Sequence, residues 1–464
     1  MIFNRSENHE NPQSLRNFVW MATTLAFPLM IQNLISTLVN TADTLMLGYV
    51  SQTAMSASSL ANHVYMVLWM ALNGFSTGAS VLAAQYWGKK DTITIEKVLG
   101  LAIKFSCIVA LVFSIIAMAV PDTVMSIFTN DSSIVAEGAT YLRIIAISYV
   151  FSAFSMAYFA VLRSVEKVIL PSVVFVCSLG INILVNATFI FGLFGLPKLG
   201  LVGVAVGTVA ARVFEALTCF CHTVFSKDIK FRIKYLVAGS RLLLGDYLRI
   251  SMPALINDVA WGLSATVYAM VLGHMGSDAV AAEAVVAMIV NIGAICCRGF
   301  ANATTIIIGK VLGQDKKELA KIYARRMLIL TFVVSALGGV VIILMRPLAI
   351  MVYEDKLTEQ ALRFLGIMLL MSSYRLIGEG LNTCWICGCF RGGGDAKFGM
   401  VVDTLCIWLM AVPFTLIAAY VIKLPVVWVY FVMCLDEFEK MIPVYIHYRG
   451  YKWLNNITRD SSEV

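Results

Sequence analysis

Charge is what this chain has least of. Lys, Arg, Asp and Glu make up 14% of its 464 residues, against about 25% in an average soluble domain. Hydrophobic residues reach 59%. A soluble core of this length could not hide that much apolar side chain, and a disordered chain would be polar and charge-rich. Eleven cysteines, an odd number, are too sparse for a disulfide scaffold. The sequence has no phosphate-binding loop, no His-Glu-x-x-His and no Gly-x-Ser-x-Gly elbow, so no enzymatic activity is expected. Cys384, Cys387 and Cys389 lie close together but have no histidine nearby and no fourth ligand, so no metal site is expected either.

What is present is a series of long apolar runs. A helix crossing about 30 Å of hydrocarbon needs about 20 such residues. Twelve windows qualify, near 18–45, 55–85, 98–120, 134–162, 168–192, 200–225, 246–272, 279–309, 327–350, 360–388, 400–421 and 425–447. Their length and internal glycines suit helices better than barrel strands. The expected fold is an all-α integral membrane protein of twelve transmembrane helices.

The positive charges are distributed unevenly. One set of alternate loops, with the two tails, holds 25 of the 35 Lys and Arg residues. The other set holds only Lys198, Arg346, Lys356 and Lys423. By the positive-inside rule both termini are expected in the cytoplasm of a cell-membrane protein. The net charge of +7 is mostly this bias, so no nucleic-acid partner is expected. The polar start of the chain has no cleavable-signal pattern.

The two halves repeat at an offset of 225 residues. Pro28 pairs with Pro253, Leu47-Gly48 with Leu272-Gly273, Gly74-Phe75 with Gly299-Phe300, and Gly88 with Gly313. Further on the offset drifts to 228, where Leu162-Arg163 answers Phe390-Arg391. Such parallel repeats make two pseudo-symmetric six-helix lobes around a central cavity, the architecture of a transporter. The expected division is a tail at 1–17, a first lobe at 18–225, a linker at 226–245, a second lobe at 246–448 and a tail at 449–464. With no nucleotide site, transport would run on an ion gradient or on the substrate's own gradient. One chain builds both lobes, so a monomer is expected, with membrane lipid and small organic substrates as its partners.

Charged residues inside spans are costly and mark function by default. In the first lobe these considerations single out Asp43, with Asn40 three residues earlier on the same face. Asn182 and Asn186 share a face of the fifth span, and Thr208 lies in the sixth. In the second lobe the candidates are Asp258, Glu283, Tyr374, Glu379 and Asp403, with Arg298 and Arg375 as counter-charges. Arg212 and Glu215 read as a local ion pair, and Asp436 and Lys440, four apart, can pair. Pro28 and Pro253 each remove a backbone hydrogen bond and are candidate hinges.

Several stretches together resemble the multidrug and toxic compound extrusion family. They are Pro28 with Asn40-x-x-Asp43 and Gly48; Ala83-Ala84-Gln85-Tyr86-Trp87-Gly88; Asn182 to Asn186 with Phe189-Ile190-Phe191-Gly192; and Pro197, Gly200, Gly203, Ala205 and Thr208. Arg391-Gly392-Gly393-Gly394-Asp395 and Lys452 to Thr458 complete the set, which extends over nearly the whole chain in family order. The resemblance implies a V-shaped cavity between two lobes and secondary antiport, with a drug, often cationic, leaving as H⁺ or Na⁺ enters, and no cofactor. In one branch the coupling site is the first-span aspartate, here Asp43, with companions matching Asn40, Asn182 and Thr208; that branch often has a second aspartate where this chain has Asn186. Another branch uses acids in spans 7 and 10. Glu379 falls within a residue of the span 10 acid, whereas the span 7 position is Trp261 and Asp258 lies off it. Asp403 resembles a feature of a bacterial subgroup. On this reading Asp43 exchanges the ion and span 1 bends near Pro28. The rival is a flippase for a lipid-linked saccharide of the same wider superfamily, whose cavity would need several basic residues.

Overall fold

The computed structural model describes residues 14–460 apart from 49, 227, 228, 233, 238 and 239; for 37–45, 48, 194 and 237 it describes the backbone alone. Helices dominate, and no strand occurs among the described residues. The first half runs α1 (Leu15–Gly48), α2 (Gln52–Lys89), α3 (Thr92–Ala119), α4 (Ser132–Ser164), α5 (Ile169–Phe191) and α6 (Leu201–Phe225). The second runs α7 (Arg241–Met275), α8 (Ser277–Gly313), α9 (Lys317–Tyr353), α10 (Glu359–Phe390) and α11 (Ala396–Val421). These eleven are long and apolar enough to cross a membrane.

The twelfth span, α12, is broken into Val426–Cys434, Asp436–Glu439 and Met441–Arg449. The break coincides with four charged residues, Asp436, Glu437, Glu439 and Lys440, placed in the middle of an apolar run. Local wide turns also occur in α10 and α11. Cys384–Phe390, Cys406–Ala411 and Ile417–Val421 are π-helical, a geometry that occurs in short pieces and often at functional sites.

Short polar residues set where helices begin. Ser51 caps α2 through Ala54 N, Asp91 caps α3 through Thr94 N, and Thr358 caps α10 through Ala361 N. Each satisfies an amide that the first helical turn leaves open. The α2–α3 turn is tight because Lys90 takes a left-handed conformation, φ 63°, directly before the Asp91 cap.

The halves pack as a pseudo-two-fold pair. A Cβ on Gly74 of α2 would lie 2.6 Å from Leu255 Cβ of α7, and a Cβ on Gly299 of α8 would lie 2.5 Å from Met30 Cγ of α1. Leu255 and Met30 stand 225 residues apart, as do Gly299 and Gly74. The same contact is therefore made twice, once from each lobe. Gly78 and Ser251 extend the α2–α7 approach toward the C-terminal end of α2 and the start of α7. Small residues bring the lobes together there.

Candidate functional site

Several charged side chains of the second half, most of them buried, form one connected network. α7 supplies Asn257 and Asp258, just past Pro253. Asp258 Oδ1 accepts from Arg391 Nη2 at 3.0 Å, and the same nitrogen donates to Asn257 Oδ1 at 2.9 Å. Asn257 Nδ2 donates to Asp403 Oδ2 at 2.6 Å. Asp403 Oδ1 accepts from Lys440 Nζ at 2.9 Å, and Lys440 also lies 3.2 Å from Glu437 Oε2. Asn382 of α10 completes the chain, donating to Glu437 Oε2 at 2.9 Å.

The π-helical turn of α10 ends at Arg391, and α11 turns π-helical three residues beyond Asp403. The network therefore sits where helix geometry changes. Arg391, Asp403, Glu437 and Lys440 are all buried. Such groups are tolerated away from water only when paired. Three carboxylates (Asp258, Asp403, Glu437) face two bases (Arg391, Lys440). Asp436 is buried beside them, and its Oδ1 has no hydrogen-bond partner among the described residues. The network reaches the other lobe as well, because Asp258 Oδ2 accepts from Asn73 Nδ2 of α2 at 2.7 Å.

Two of these partners differ from those the sequence suggests. Arg298 was expected to balance the acids but has no ion-pair partner among the described residues; Arg391 balances Asp258 instead. Lys440 was expected to pair with Asp436, four residues earlier. That geometry needs an unbroken helix, and α12 breaks at Lys440, which turns its ammonium to Asp403 and Glu437. Nothing in the linear sequence marks Asn73, Asn257 and Asn382. Lone amides in apolar helices give no linear signal, and only their position opposite a buried acid marks them.

A second group lies in the same lobe. Arg375 stands 3.7 Å from Glu379, one turn apart on α10. Glu283 of α8 lies beside Arg375 and Tyr430. Tyr430 Oη and Ser372 Oγ are 2.8 Å apart. Tyr374 packs its ring on Phe438 at 5.8 Å, and its hydroxyl has no partner among the described residues. Glu283, Tyr374 and Glu379 thus gather around Arg375, apart from Asp258 and Asp403.

In the first lobe Asn186 Nδ2 donates to Asn182 Oδ1 at 3.2 Å, and Asn182 Nδ2 donates to Thr208 Oγ1 at 3.4 Å. Gly207 makes room for this, since a Cβ there would lie 2.0 Å from Asn186 Oδ1. Ser178, Glu215 and Arg212 continue the line, with Arg212 and Glu215 paired at 2.8 Å. The side chains of Asp43 and Asn40 lie outside the described residues. Both α1 and α7 run on through their prolines, Pro28 and Pro253. Among the described residues no group of three His, Cys, Asp or Glu side chains is arranged to hold a metal.

Comparison with known proteins places this geometry in a lineage. The chain is 26% identical over 425 residues to the Bacillus subtilis protein named "Probable multidrug resistance protein YoeA", covering 89% of this chain and 90% of that one. It is 24% identical over 393 residues to the Thermotoga maritima "Probable multidrug resistance protein NorM", covering 84% and 83%. Among solved structures, a variant of the Vibrio cholerae MATE transporter VcmN superposes with a TM-score of 0.86 at 14% identity, covering 94% of this chain and 97% of that one. A multidrug resistance MATE family transporter in an outward-facing conformation gives 0.85 at 19% identity, covering 95% and 98%. The MatE family model matches twice, over residues 28–188 and 253–417, and its two matches begin at Pro28 and Pro253. Together those matches span well over half of the sequence, and the chain belongs to the MatE family of multidrug and toxic compound extrusion transporters.

Proposed function

We propose that this protein is a secondary active antiporter that exports organic, often cationic, compounds in exchange for inward H⁺ or Na⁺, and that the ion acts on the second-lobe network. The reading rests on one observation: three carboxylates, Asp403 and Glu437 buried and Asp258 half-buried, against two bases, in a network that also holds the other lobe through Asn73. A net negative charge in a low-dielectric interior is a place for a proton or a small cation. Loading Asp258 would weaken both its charge-assisted bonds, to Arg391 and to Asn73. The lobes, 18–225 and 246–448, would then part on the face that carries the termini, with 226–245 as linker and Pro28 and Pro253 as hinges. That face is cytoplasmic in this proposal, in a cell-membrane protein working as a monomer.

The energetics suffice for modest export. One elementary charge crossing 100 mV is worth about 2.3 kcal/mol. At about 1.4 kcal/mol per tenfold, it sustains a substrate gradient of roughly fiftyfold.

The test is ethidium extrusion from cells lacking their own pumps, at controlled pH and Na⁺, with membrane expression of every variant confirmed. Asp258→Asn and Asp403→Asn are expected to abolish ion-dependent extrusion. Collapse in Asp43→Asn alone, with the second-lobe variants at wild-type rate, moves the coupling site to the first lobe. Absence of extrusion by the wild type overturns the multidrug reading and leaves the saccharide flippase.

A further inference from the structure

At the floor of the cleft between the lobes lies a polar cavity of about 90 Å³. Half of its twelve lining residues form repeat-related pairs: Thr77 with Asn302 and Ser80 with Thr305 at the offset of 225, and Arg163 with Arg391 at 228. The two arginines differ in one respect. Arg391 is neutralised by Asp258 at 3.0 Å and further held by Asn257. The Arg163 guanidinium has no ion-pair or hydrogen-bond partner among the described residues, although its carbonyl accepts from Glu166 N. The sequence explains the difference, because 225 residues before Asp258 stands Asn33, and before Asn257 stands Gln32. Leu29, one turn from Asn33 on α1, lines the same cavity. The first lobe thus presents the arginine without the acid that balances its twin.

A half-buried guanidinium lining a cavity is stabilised by a counter-charge, and its planar fork matches a carboxylate. Nearby, Ser76 Oγ also lines the cavity and has no partner among the described residues. A single water needs about 10–15 Å³ on this measure, so the cavity has room for a group of a few heavy atoms, such as a carboxylate or acetate ion.

We propose that the cleft floor is an anion site in which one carboxylate bridges the guanidinium of Arg163 and the positive edge of the Arg391–Asp258 pair, standing in for the acid that Asn33 lacks. The carboxylate is either a free small anion or part of a transported compound. Only the second source rests on the transport reading. Occupation would tie α4 of one lobe to the end of α10 of the other and favour the closed floor.

The full-length protein is purified in detergent with sodium gluconate, whose anion is bulkier than acetate. Acetate then replaces gluconate at constant Na⁺ and ionic strength while the melting temperature is followed. A saturable rise is expected in wild type and in Arg143→Gln, a surface control, and its loss in Arg163→Gln. A second variant, Asn33→Asp, supplies the missing acid internally. It is expected to melt in gluconate at least as high as wild type does in saturating acetate, with no further response to acetate. An acetate response that persists unchanged in both Arg163→Gln and Asn33→Asp, or no saturable response in wild type, overturns the site whether or not the protein transports anything.

Extrusion of a zwitterionic rhodamine and of its ethyl ester then separates the sources. Loss of the carboxylate form alone in Arg163→Gln assigns the anion to the substrate. Equal effects on both forms assign it to a free anion.

Discussion

Gly88 of α2 and Gly313 of α8 seal the floor of the cleft by one contact made twice. A Cβ on Gly88 would lie 2.1 Å from the Lys310 carbonyl oxygen, and a Cβ on Gly313 would lie 1.8 Å from that of Gln85. Lys310 and Gln85 are themselves related by the 225-residue offset. The two helices meet backbone to backbone, with no flexible side chain between them to yield.

Gly313→Ala is therefore expected to disfavour the closed floor by about 1–3 kcal/mol, the usual cost of overpacking. Gly245, in α7, has open space around it. Gly245→Ala is expected to stabilise by a few tenths to about 1 kcal/mol, because alanine loses less backbone freedom in a helix. Melting temperatures of the two variants should move in opposite directions. A fall of equal size in both would mean that the close approach at Gly313 is not what decides.

Gln85 joins this seal to the end of the chain. Its amide nitrogen donates to the carbonyls of Gly392 and Asn455, and its oxygen accepts from Ile457 N at 2.8 Å. Arg459 clasps Asp246 with two bonds, and Lys89 reaches the Arg459 carbonyl. Gln85→Ala leaves an amide and two carbonyls without partners, a cost of about 1–3 kcal/mol for each buried group left unsatisfied. Trypsin cleavage after Lys452 and Arg459 is expected to accelerate in this variant. An unchanged cleavage rate would show that the segment holds without Gln85.

Lys440→Met should be more damaging than the double change Asp403→Asn with Lys440→Met. Removing the base alone strands buried Asp403 and Glu437, which costs about 3–5 kcal/mol. Removing one acid with it relieves part of that cost. A double-mutant cycle on chemical or thermal unfolding reads the coupling directly. Strict additivity would mean that Lys440 and Asp403 do not act as a pair.

Any pH dependence of transport near neutrality should not come from the tail. The hydrogen bond from Lys89 holds the Asp460 carboxyl below its ordinary value. A lowered folded value means the contact's contribution is present above the unfolded value and is lost only as pH falls through the lowered one. Asp460→Asn is expected to leave the extrusion profile unchanged between about pH 5 and 8. A shifted profile would give the tail a titrating role.

Much of this protein was legible in one dimension. Apolar runs long enough to span a bilayer, and a repeat that starts at Pro28 and again at Pro253, are linear patterns. These patterns alone point to twelve spans, two lobes and the family. Asp258, Asp403 and Glu379 stood out for the same reason, since an acid in an apolar run is conspicuous and costly. The partners of these acids were not legible. Asp258 meets Arg391 and Asn73, which lie 133 and 185 residues away in the chain, and no local spacing encodes such a meeting. Local spacing also misled at Lys440, because the i,i+4 rule holds only while the helix continues, and α12 breaks there. The sequence by itself determined which residues enter the membrane, because partition between water and lipid is a property of each segment. Only the tertiary structure decided which buried charges neutralise one another, because that depends on helices meeting across two lobes, and it left Arg163 without the acid that its twin possesses.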